Sequence, residues 1–433
     1  DRSSAASDVY KRQDQTRRVG AQQRVEFTGH ALRALLRPRV ARQRRRRSRR
    51  RRLRATRFTR RARRQRHDIP HVARAHRRRS KRHAERGDSP RFDHVISVRG
   101  LGSERGAGVG PLMRRAWTPE EFYREFDEPP HVQDITESVQ AFVETHRQAG
   151  HKVVLVTSGG TTVPLEKNMV RFLDNFSAGT RGAASAEYFL QQGYAVLFLS
   201  RQHSQFPFTR LYSHTTNPLF DLLEEPVAND DSVRVSRDHV AHLLPTLHAY
   251  HDAKRNKRLL TVSFVTVVEY LFLLRHICHI LAPLGRHAML YLAAAVSDYF
   301  LPPERMSEHK IQSSDGALTI ELQQVPKVLG VLVREWLPHA YVVSFKLETD
   351  ESLVIPKAER SLRHYGHQLV IGNQLQRRKW EVVLVEHTSR TKQQDTASFE
   401  HTWIQLPQDA EHEIERDIAR MLAQRQHAWI HAV

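Results

Sequence analysis

The stretch TSGGTTVPLEKNMVRFLDNFSAGTRG, residues 157–182, places two short glycine turns close together around polar side chains. The first turn, Gly159-Gly160, directly follows the apolar run KVVLV. Backbone N–H groups at such a turn can approach an anion without interference from a Cβ atom. The pattern is not the GxGxxG dinucleotide fingerprint. It therefore predicts an anion-binding turn at a strand end, or a Gly-Gly turn with a purely structural role.

The second turn, NFSAG, precedes a helical pattern. Ser177 is placed to cap that helix, and Arg181 lies in its first turn. The small residues Ala178, Gly179, Gly182, Ala183 and Ala184 allow another backbone to approach. Asn175 offers an amide that can both donate and accept hydrogen bonds. Its alternative role is that of a turn residue whose side chain bonds its own backbone.

Strands and helices alternate around these turns. Continuous apolar strands separated by helices predict a parallel sheet covered on both faces, and ligands bind such sheets at the carboxyl ends of the strands. We predict strands in KVVLVTSGG, YAVLFLSR, LLTVSF, AMLYL, YVVSFKLETD and HQLVIGNQL. Predicted helices cover TPEEFYREF, DITESVQAFVETHRQAG, TRGAASAEYFLQQG, HVAHLLPTLHAYHDAKRN and residues 355–366.

One segment departs from this alternation. HKIQSSDGALTIELQQVPK has two alternating runs on either side of Ser314-Asp315-Gly316, which predicts an antiparallel hairpin. Such an insertion can be an active-site flap, an oligomer contact or a structural hairpin.

The most apolar stretch, residues 259–275, is interrupted by Glu269. It predicts a strand followed by a helix that Thr266 and Glu269 start as a capping box, and it is too short to span a bilayer. The chain has a single cysteine, Cys278, so no disulfide framework is available. We expect a cytoplasmic protein in a reducing compartment.

The excess of positive over negative charge is confined to the first quarter of the chain. Residues 1–112 hold 35 of the 69 lysines and arginines but 9 of the 47 acidic residues, and the remainder holds 34 basic and 38 acidic residues. Runs such as RRRRSRRRR cannot bury enough apolar area to offset the entropy of ordering them. We expect an Arg-rich extension at 1–112 and a folded domain at 113–433.

Three interpretations of the extension stay open. It can be a disordered basic arm that binds nucleic acid through phosphate, or an Arg-rich targeting segment. It can also be a non-native extension, because the first methionine is Met113 and the composition becomes ordinary immediately after it.

Five motifs in this order carry a family resemblance: GGTTVPLE, VRFLDNFSAGTRG, LAAAVSDYFLP, EHKIQSS and VVSFKLETD. Together they resemble the phosphopantothenate–cysteine ligases of coenzyme A biosynthesis, in their eukaryotic monofunctional form. The resemblance covers residues 113–433, and DNFSAG and AAAVSDY are its most specific parts. It implies a Rossmann-like three-layer α/β/α fold, with a mostly parallel sheet and an inserted antiparallel hairpin, in a homodimer.

The resemblance also implies the chemistry. The carboxylate of 4′-phosphopantothenate attacks the α-phosphate of a nucleoside triphosphate, and the amino group of cysteine then displaces the nucleotide. This needs neutralised phosphate charge and reactants held in line, with no protein nucleophile.

Site residues follow from the same resemblance. Asn175 and Lys310 are the implied catalytic residues, the first on the acyl carbonyl and the second on the triphosphate with Mg²⁺. The implied nucleotide-binding residues are Gly159, Gly160, Ala294, Ala295, Asp298 and Phe345. The implied substrate-binding residues are Arg171, Ser177, Gly179 and Arg181. No protein metal ligand is expected.

Two positions depart from the bacterial pattern, which has basic residues after GGT and after the glycine of the second turn. This chain has Thr162 and Thr180 there, and Arg171 and Arg181 can compensate. Bacterial relatives prefer CTP, whereas we expect this chain to use ATP.

Two other classes of function remain. The core can be a Rossmann-like nucleotide or dinucleotide binder without ligase activity, such as a reductase. Against this, Tyr250 and Lys254 have the Tyr-x-x-x-Lys spacing but not the setting of a reductase dyad, because they lie at the end of a predicted helix that follows no strand directly. The chain can also be a nucleic-acid binder that acts through its Arg-rich arm.

Overall fold

This computed structural model describes residues 116–213, 218–225, 232–312, 318–388 and 398–432. The predicted division between residues 112 and 113 lies outside the described residues. So do the Arg-rich extension and the hairpin turn at Ser314-Asp315-Gly316.

Within the described ranges, twelve strands follow one another in chain order. They are β1 (Val153–Ser158), β2 (Thr162–Pro164), β3 (Phe172–Asp174), β4 (Ala195–Arg201), β5 (Leu259–Phe264), β6 (Ala288–Leu292), β7 (Tyr299–Phe300), β8 (Gln323–Gln324), β9 (Tyr341–Glu348), β10 (Leu369–Gln374), β11 (Glu381–His387) and β12 (Phe399–Gln405).

An eight-stranded sheet in the order β12-β11-β10-β9-β6-β1-β4-β5 forms the centre of the domain. All neighbours from β10 to β5 are parallel, whereas β11 and β12 add an antiparallel edge. Every residue of β1 is buried, as expected of a strand covered on both faces. The predicted mostly parallel sheet is confirmed.

Helices cover both faces of this sheet. They are α1 (Pro119–Glu125), α2 (Val132–Gln148), α3 (Thr180–Gln191), α4 (Pro218–Asp221), α5 (Arg237–Arg255), α6 (Val267–Leu281), α7 (Leu329–Val331), α8 (Val354–Tyr365) and α9 (Ile414–His431).

Alternate residues of the strands pack against different helices. Val153 and Leu155 of β1 pack with α1, α2 and α6, while Val154 and Val156 pack with α3 and α9. Successive side chains of a strand point to opposite faces, so each central strand joins both cores. The predicted three-layer α/β/α architecture is confirmed.

Helix α6 begins where its sequence predicts. The Thr266 hydroxyl accepts from the Glu269 N–H at 3.1 Å, and the Glu269 carboxylate accepts from the Thr266 N–H at 3.0 Å. With its following 3-10 turn, the segment Val267–His287 is long and apolar enough to cross a bilayer, but most of it is buried inside the protein. It is a core helix here, since its residues pack into the same cluster as α2.

An antiparallel pair is inserted between β6 and β9, as predicted. Its paired residues are β7 and β8, further from the turn than the alternating runs suggested. Residues 307–311 bond instead to the loop after β2, where the Lys167 N–H donates to the Ser307 carbonyl at 2.9 Å. This competing partner explains why the described part of the alternating runs does not pair with itself.

Candidate active site

The predicted site lies at the carboxyl ends of β1 and β6. Beyond these strands the two loops continue side by side: the Ala295 N–H donates to the Gly159 carbonyl at 2.8 Å, and the Thr161 N–H donates to the Ala295 carbonyl at 3.2 Å. The Gly-Gly turn and the AAAVSD loop are therefore one unit, at the edge where parallel sheets bind ligands.

Two threonine hydroxyls brace the AAAVSD loop. Thr157 Oγ1 accepts from the Ala294 N–H at 3.1 Å, and Thr161 Oγ1 accepts from the Ser297 N–H at 2.9 Å. Both threonines are fully buried. The loop that carries Ala294, Ala295 and Asp298 is thus fixed at two points by buried hydroxyl groups.

Gly160 and the second glycine turn are packed against each other. A Cβ atom on Gly160 would lie 1.6 Å from the carbonyl oxygen of Asn175. Gly159 has φ +81°, which a side chain rarely adopts. The two turns are close in sequence because the backbone of the second must rest on the first, and only glycine leaves room for it.

Asn175 is bonded to both the Gly-Gly turn and the AAAVSD loop. Its N–H donates to the Thr161 carbonyl at 3.1 Å, and its Nδ2 donates to the Val296 carbonyl at 3.1 Å. The second Nδ2 hydrogen and Oδ1 have no partner among the described residues. The exposed amide is therefore oriented by the protein and still able to bond a ligand.

The start of α3 approaches β1 closely. A Cβ atom on Gly182 would lie 2.3 Å from Ser158 Oγ, and the Ser158 hydroxyl donates to the Gly179 carbonyl at 3.0 Å. The predicted capping of this helix by Ser177 is wrong. Gly179, at φ +80°, is the N-cap, and Ser177 Oγ accepts from the Gly179 N–H at 3.3 Å outside the helix. The left-handed glycine turns the chain before a serine side chain can reach the first helical turn.

The first turn of α3 has no side-chain cap and no acidic residue. Its N–H groups carry the partial positive charge of the helix dipole, which attracts anions. The end of α3 beside the Gly-Gly turn is thus suited to phosphate.

Arg181 is engaged by the protein. Its Nη1 lies 3.1 Å from a Glu415 carboxylate oxygen of α9, and its guanidinium lies over the Phe345 ring at 5.9 Å. Phe345 is half-buried in β9, one residue beyond its pairing with β6, and meets the buried Tyr291 ring edge-on at 5.0 Å. These contacts place Arg181 and Phe345 together near the carboxyl end of β6.

Asp298 has a partner that the sequence did not reveal. Its Oδ1 accepts a short hydrogen bond from Lys327 Nζ, and both side chains are more than half exposed. The loop therefore presents a carboxylate and an ammonium group together, each able to meet a polar ligand.

A second residue that the sequence did not reveal, Glu166, links the segments that carry Arg171 and Lys310. Arg171 Nη1 donates to Glu166 Oε1 at 3.0 Å, and the Ile311 N–H, next to Lys310, donates to the same oxygen at 3.2 Å. Glu166 is fully buried. Lys310 itself is exposed, and its Nζ forms no ion pair with any described residue.

Hydrogen bonding shifts the titration of this buried carboxyl. The Arg171 N–H above all, and then the Ile311 N–H, the Arg171 guanidinium and the Val170 N–H, lower the pKa of Glu166 to about 2. Each bond favours the charged form, and together they outweigh the effect of desolvation. Glu166 is thus a permanent anion at neutral pH.

Thr162 and Thr180, which stand where bacterial relatives have basic residues, have different surroundings. Thr162 is buried, and its hydroxyl donates to the Val265 carbonyl at 2.9 Å. Thr180 is exposed at the first position of α3. Thr162 thus holds β2 to the start of α6, and Thr180 lies beside the uncapped N–H groups.

Sequence reasoning missed Glu166, Lys327 and Asn373. Asn373, at the end of β10, is almost fully buried, and its Oδ1 accepts no hydrogen bond from the described residues. Its position just inside the end of a predicted parallel strand, where ligands bind such sheets, could have identified it from the sequence. Glu166 and Lys327 gave none, because their partners are distant in sequence.

Within the described ranges no group of three or more His, Cys, Asp and Glu residues is placed to hold a metal ion. Magnesium in nucleotide enzymes often keeps several waters and binds substrate phosphates with one or two carboxylates. Asp298, the exposed carboxylate of the AAAVSD loop, is paired with Lys327, so the described side chains fit a magnesium ion only if substrate phosphates supply most of its ligands.

Comparisons with known proteins agree with this geometry. The family model "DNA/pantothenate metabolism flavoprotein C-terminal domain" matches residues 149–266 and 261–424. Phosphopantothenate–cysteine ligase of Homo sapiens is 46% identical over 273 residues, covering 62% of this chain and 86% of the relative. The Saccharomyces cerevisiae ligase CAB2 is 38% identical over 343 residues, covering 74% of this chain and 89% of the relative.

The solved structure of a Cab2 mutant in complex with phosphopantothenate-cysteine superposes with a TM-score of 0.64. It is 38% identical and covers 72% of this chain and 98% of its own. The chain belongs to the phosphopantothenate–cysteine ligase family.

Proposed function

We propose that this protein joins 4′-phosphopantothenate to cysteine at the expense of a nucleoside triphosphate, as a step of coenzyme A biosynthesis. The substrate carboxylate attacks the α-phosphorus and pyrophosphate leaves. The amino group of cysteine then attacks the acyl carbon and displaces the nucleoside monophosphate. The observation that carries the proposal is that the Gly-Gly turn, the DNFSAG turn and the AAAVSD loop, all shared with the ligases, are hydrogen-bonded to one another at the carboxyl ends of β1 and β6.

The phosphates of the nucleotide are assigned to the start of α3. Uncapped N–H groups, the Gly159-Gly160 turn and the absence of acidic residues in the first helical turn favour an anion there. Ser177 and Gly179 shape the loop that leads into this helix. Arg181, which Glu415 already neutralises in part, orients the helix start beside the phosphates.

The acyl carbonyl is assigned to Asn175. The amide keeps one N–H available while the other is fixed on Val296, so donation to a developing oxyanion needs little reorganisation. Ala294 and Ala295 leave room for a ligand to lie against the braced loop. Asp298 accepts from the hydroxyl or amine groups of that ligand.

We propose ATP as the nucleotide, with CTP as the alternative, and Mg²⁺ as the accompanying ion. Phe345 provides an apolar surface on which either base can rest. Lys310 adds positive charge on the triphosphate when the ligand is bound, and Arg171 contributes to the binding of the second substrate.

We further propose a homodimer in which the β2–β3 ribbon of each subunit lies in the interface. Every residue of β3 is exposed, and a two-stranded ribbon alone is marginally stable in water. Apolar side chains cluster along it, with exposed fractions of 53% for Val170, 48% for Phe172 and 84% for Phe176. A second copy of this chain covers such a surface symmetrically. Phe172→Asp should then convert the dimer to a monomer in sedimentation analysis, whereas Leu219→Asp, at an exposed position on α4, should not.

The proposed activity is tested by pyrophosphate release. The full chain and a fragment of residues 113–433 are mixed with phosphopantothenate and ATP or CTP, with and without cysteine. We expect amide product only with all three substrates, and equal turnover by the two proteins, because the charge of residues 1–112 belongs to no shared motif. Nucleotide binding without pyrophosphate release would favour a non-catalytic nucleotide binder.

A further inference from the structure

Glu166 connects two segments of the site that are far apart in sequence. One is the Arg171 segment, residues 166–171, which follows β2. The other is the Lys310 segment, residues 307–311, which lies between β7 and β8. Glu166 Oε2 accepts from the N–H groups of Val170 and Arg171, and Glu166 Oε1 accepts from the Arg171 guanidinium and the Ile311 N–H.

We propose that Glu166 is a positioning residue for the ligation, whose carboxylate fastens the Lys310 segment to the Arg171 segment. The inference rests on the proposed function, in which Lys310 acts on the triphosphate. Glu166 itself is fully buried, so its carboxylate is not accessible to a substrate.

Further contacts beside Glu166 hold the Lys310 segment against the Arg171 segment. The Lys167 N–H donates to the Ser307 carbonyl at 2.9 Å, and Asn168 Nδ2 donates to the Glu308 carbonyl at 2.8 Å. Lys167 Nζ also lies 3.0 Å from the Glu308 carboxylate. These bonds are at the exposed rim of the junction, whereas Glu166 is its only buried polar member among the described residues.

The chemistry of the carboxylate explains why this position requires an anion. All four groups that meet its two oxygens are donors, and a carboxylate has only acceptor sites. A glutamine has one oxygen and one NH₂ group, so either orientation turns its NH₂ towards two donors. The arrangement that keeps Oε on the Val170 and Arg171 N–H groups preserves the loop and releases Ile311.

Glu166→Gln should therefore detach the Lys310 segment while the overall fold stays intact. A displacement of a charged group near the reacting phosphates can lower a rate by roughly a hundredfold. We expect kcat to fall by roughly 10- to 100-fold, with faster amide exchange in a peptide that covers residues 307–312.

Glu187→Gln is the matched control. Glu187 also accepts from a backbone N–H, that of Phe208 at 2.7 Å, and from a guanidinium, that of Arg210 at 2.9 Å. It joins α3 to the loop after β4 and touches neither segment. Its loss should lower stability without changing exchange at residues 307–312.

The deciding experiment is a double-mutant cycle with Lys310→Ala. If Glu166 acts by placing Lys310, Glu166→Gln should lower kcat by less than twofold in the Lys310→Ala background. Equal effects of Glu166→Gln in both backgrounds, or unchanged exchange at residues 307–312, would overturn the proposal.

Ile311→Pro provides a second route should Glu166→Gln fail to fold. It removes the N–H donor and leaves the carboxylate on the Arg171 segment, so it should reproduce the faster exchange and the loss of kcat. A fully active Ile311→Pro enzyme contradicts the proposal. Amide exchange is measured without substrates, so absence of ligase activity in every protein would count against the proposed function alone.

Discussion

At the scale of single residues, substitution of Asn175 tests which of the two half-reactions depends on its amide. Asn175→Asp keeps the size of the side chain but replaces the donor with an acceptor that repels an oxygen-rich intermediate. Loss of one such donor costs about 3 kcal/mol, or roughly a hundredfold or more in rate. Ligation should collapse, while ATP binding measured by calorimetry should change only slightly. Isotope exchange between pyrophosphate and ATP should survive better than transfer to cysteine.

Asn256→Asp is the control for this change, because Asn256 Nδ2 also donates a hydrogen bond, to Asp252, at the end of α5. It should leave both half-reactions intact. Equal loss of exchange and transfer in Asn175→Asp would place the amide in the first step, and unchanged activity would make Asn175 a turn residue.

Asp298 and Lys327 form the second residue-scale prediction. Asp298→Asn removes the negative charge of the nucleotide loop, so the apparent KM for nucleotide should rise and the ratio of ATP to CTP turnover should change. Because exposed ion pairs contribute about 0–1 kcal/mol, the thermal midpoint should hardly move. Lys327→Ala shows whether the carboxylate acts through its ammonium partner. If neither variant changes nucleotide kinetics, Asp298 has no part in nucleotide binding.

At the scale of elements, the two glycine turns must pack together for the site to exist. Gly160→Ala places a Cβ where the Asn175 carbonyl lies, so the turns must separate. Overpacking of this kind destabilises by about 1–3 kcal/mol. We expect a lower urea midpoint and a large loss of ligase activity.

Gly193→Ala is the comparison, since Gly193 has φ +82° but nothing within 4 Å of an added Cβ. The free energy of unfolding of that variant should fall by about 1–2 kcal/mol, because alanine disfavours the left-handed conformation, and its turnover should be unchanged. A Gly160→Ala enzyme with normal activity would show that the packed arrangement of the turns is not needed.

At the scale of the whole molecule, three histidines whose pKa is lowered by desolvation contribute to the pH dependence of stability. Burial lowers the pKa of His146 and His279, and that of His367 to about 3. Because these folded-state pKa values lie below the ordinary histidine value of 6.5, the unfolded chain binds more protons below pH 6.5. Stability should thus change little between pH 7 and pH 8 and fall on acidification.

The magnitude can be set from His367, which is almost fully buried. Between about pH 6 and pH 4 it alone should lower the free energy of unfolding by about 1.4 kcal/mol per pH unit. Urea unfolding at several pH values measures this slope, and His367→Gln should reduce it. Glu166 adds to the loss only below its unfolded pKa of 4.5. A flat profile down to pH 5 would contradict the prediction.

Local rules were sufficient for much of the fold. The apolar runs predicted the parallel strands, Thr266 and Glu269 predicted the start of α6, and the motif order predicted the family. The first two signals act within a few residues, through side-chain periodicity or one turn of capping, so they are present before the chain is folded. The same local rule was wrong for Ser177, because the left-handed Gly179 cannot be recognised from helix propensity.

Only the tertiary structure decided which groups meet. Lys327 reaches Asp298 across 29 residues, and the Ile311 N–H reaches Glu166 across 145. The antiparallel edge formed by β11 and β12 likewise depends on pairing between strands, which no single segment specifies. Glu166 looks like an ordinary loop glutamate in the sequence. It becomes a buried acceptor of four hydrogen bonds only when the two segments that provide the donors fold over it.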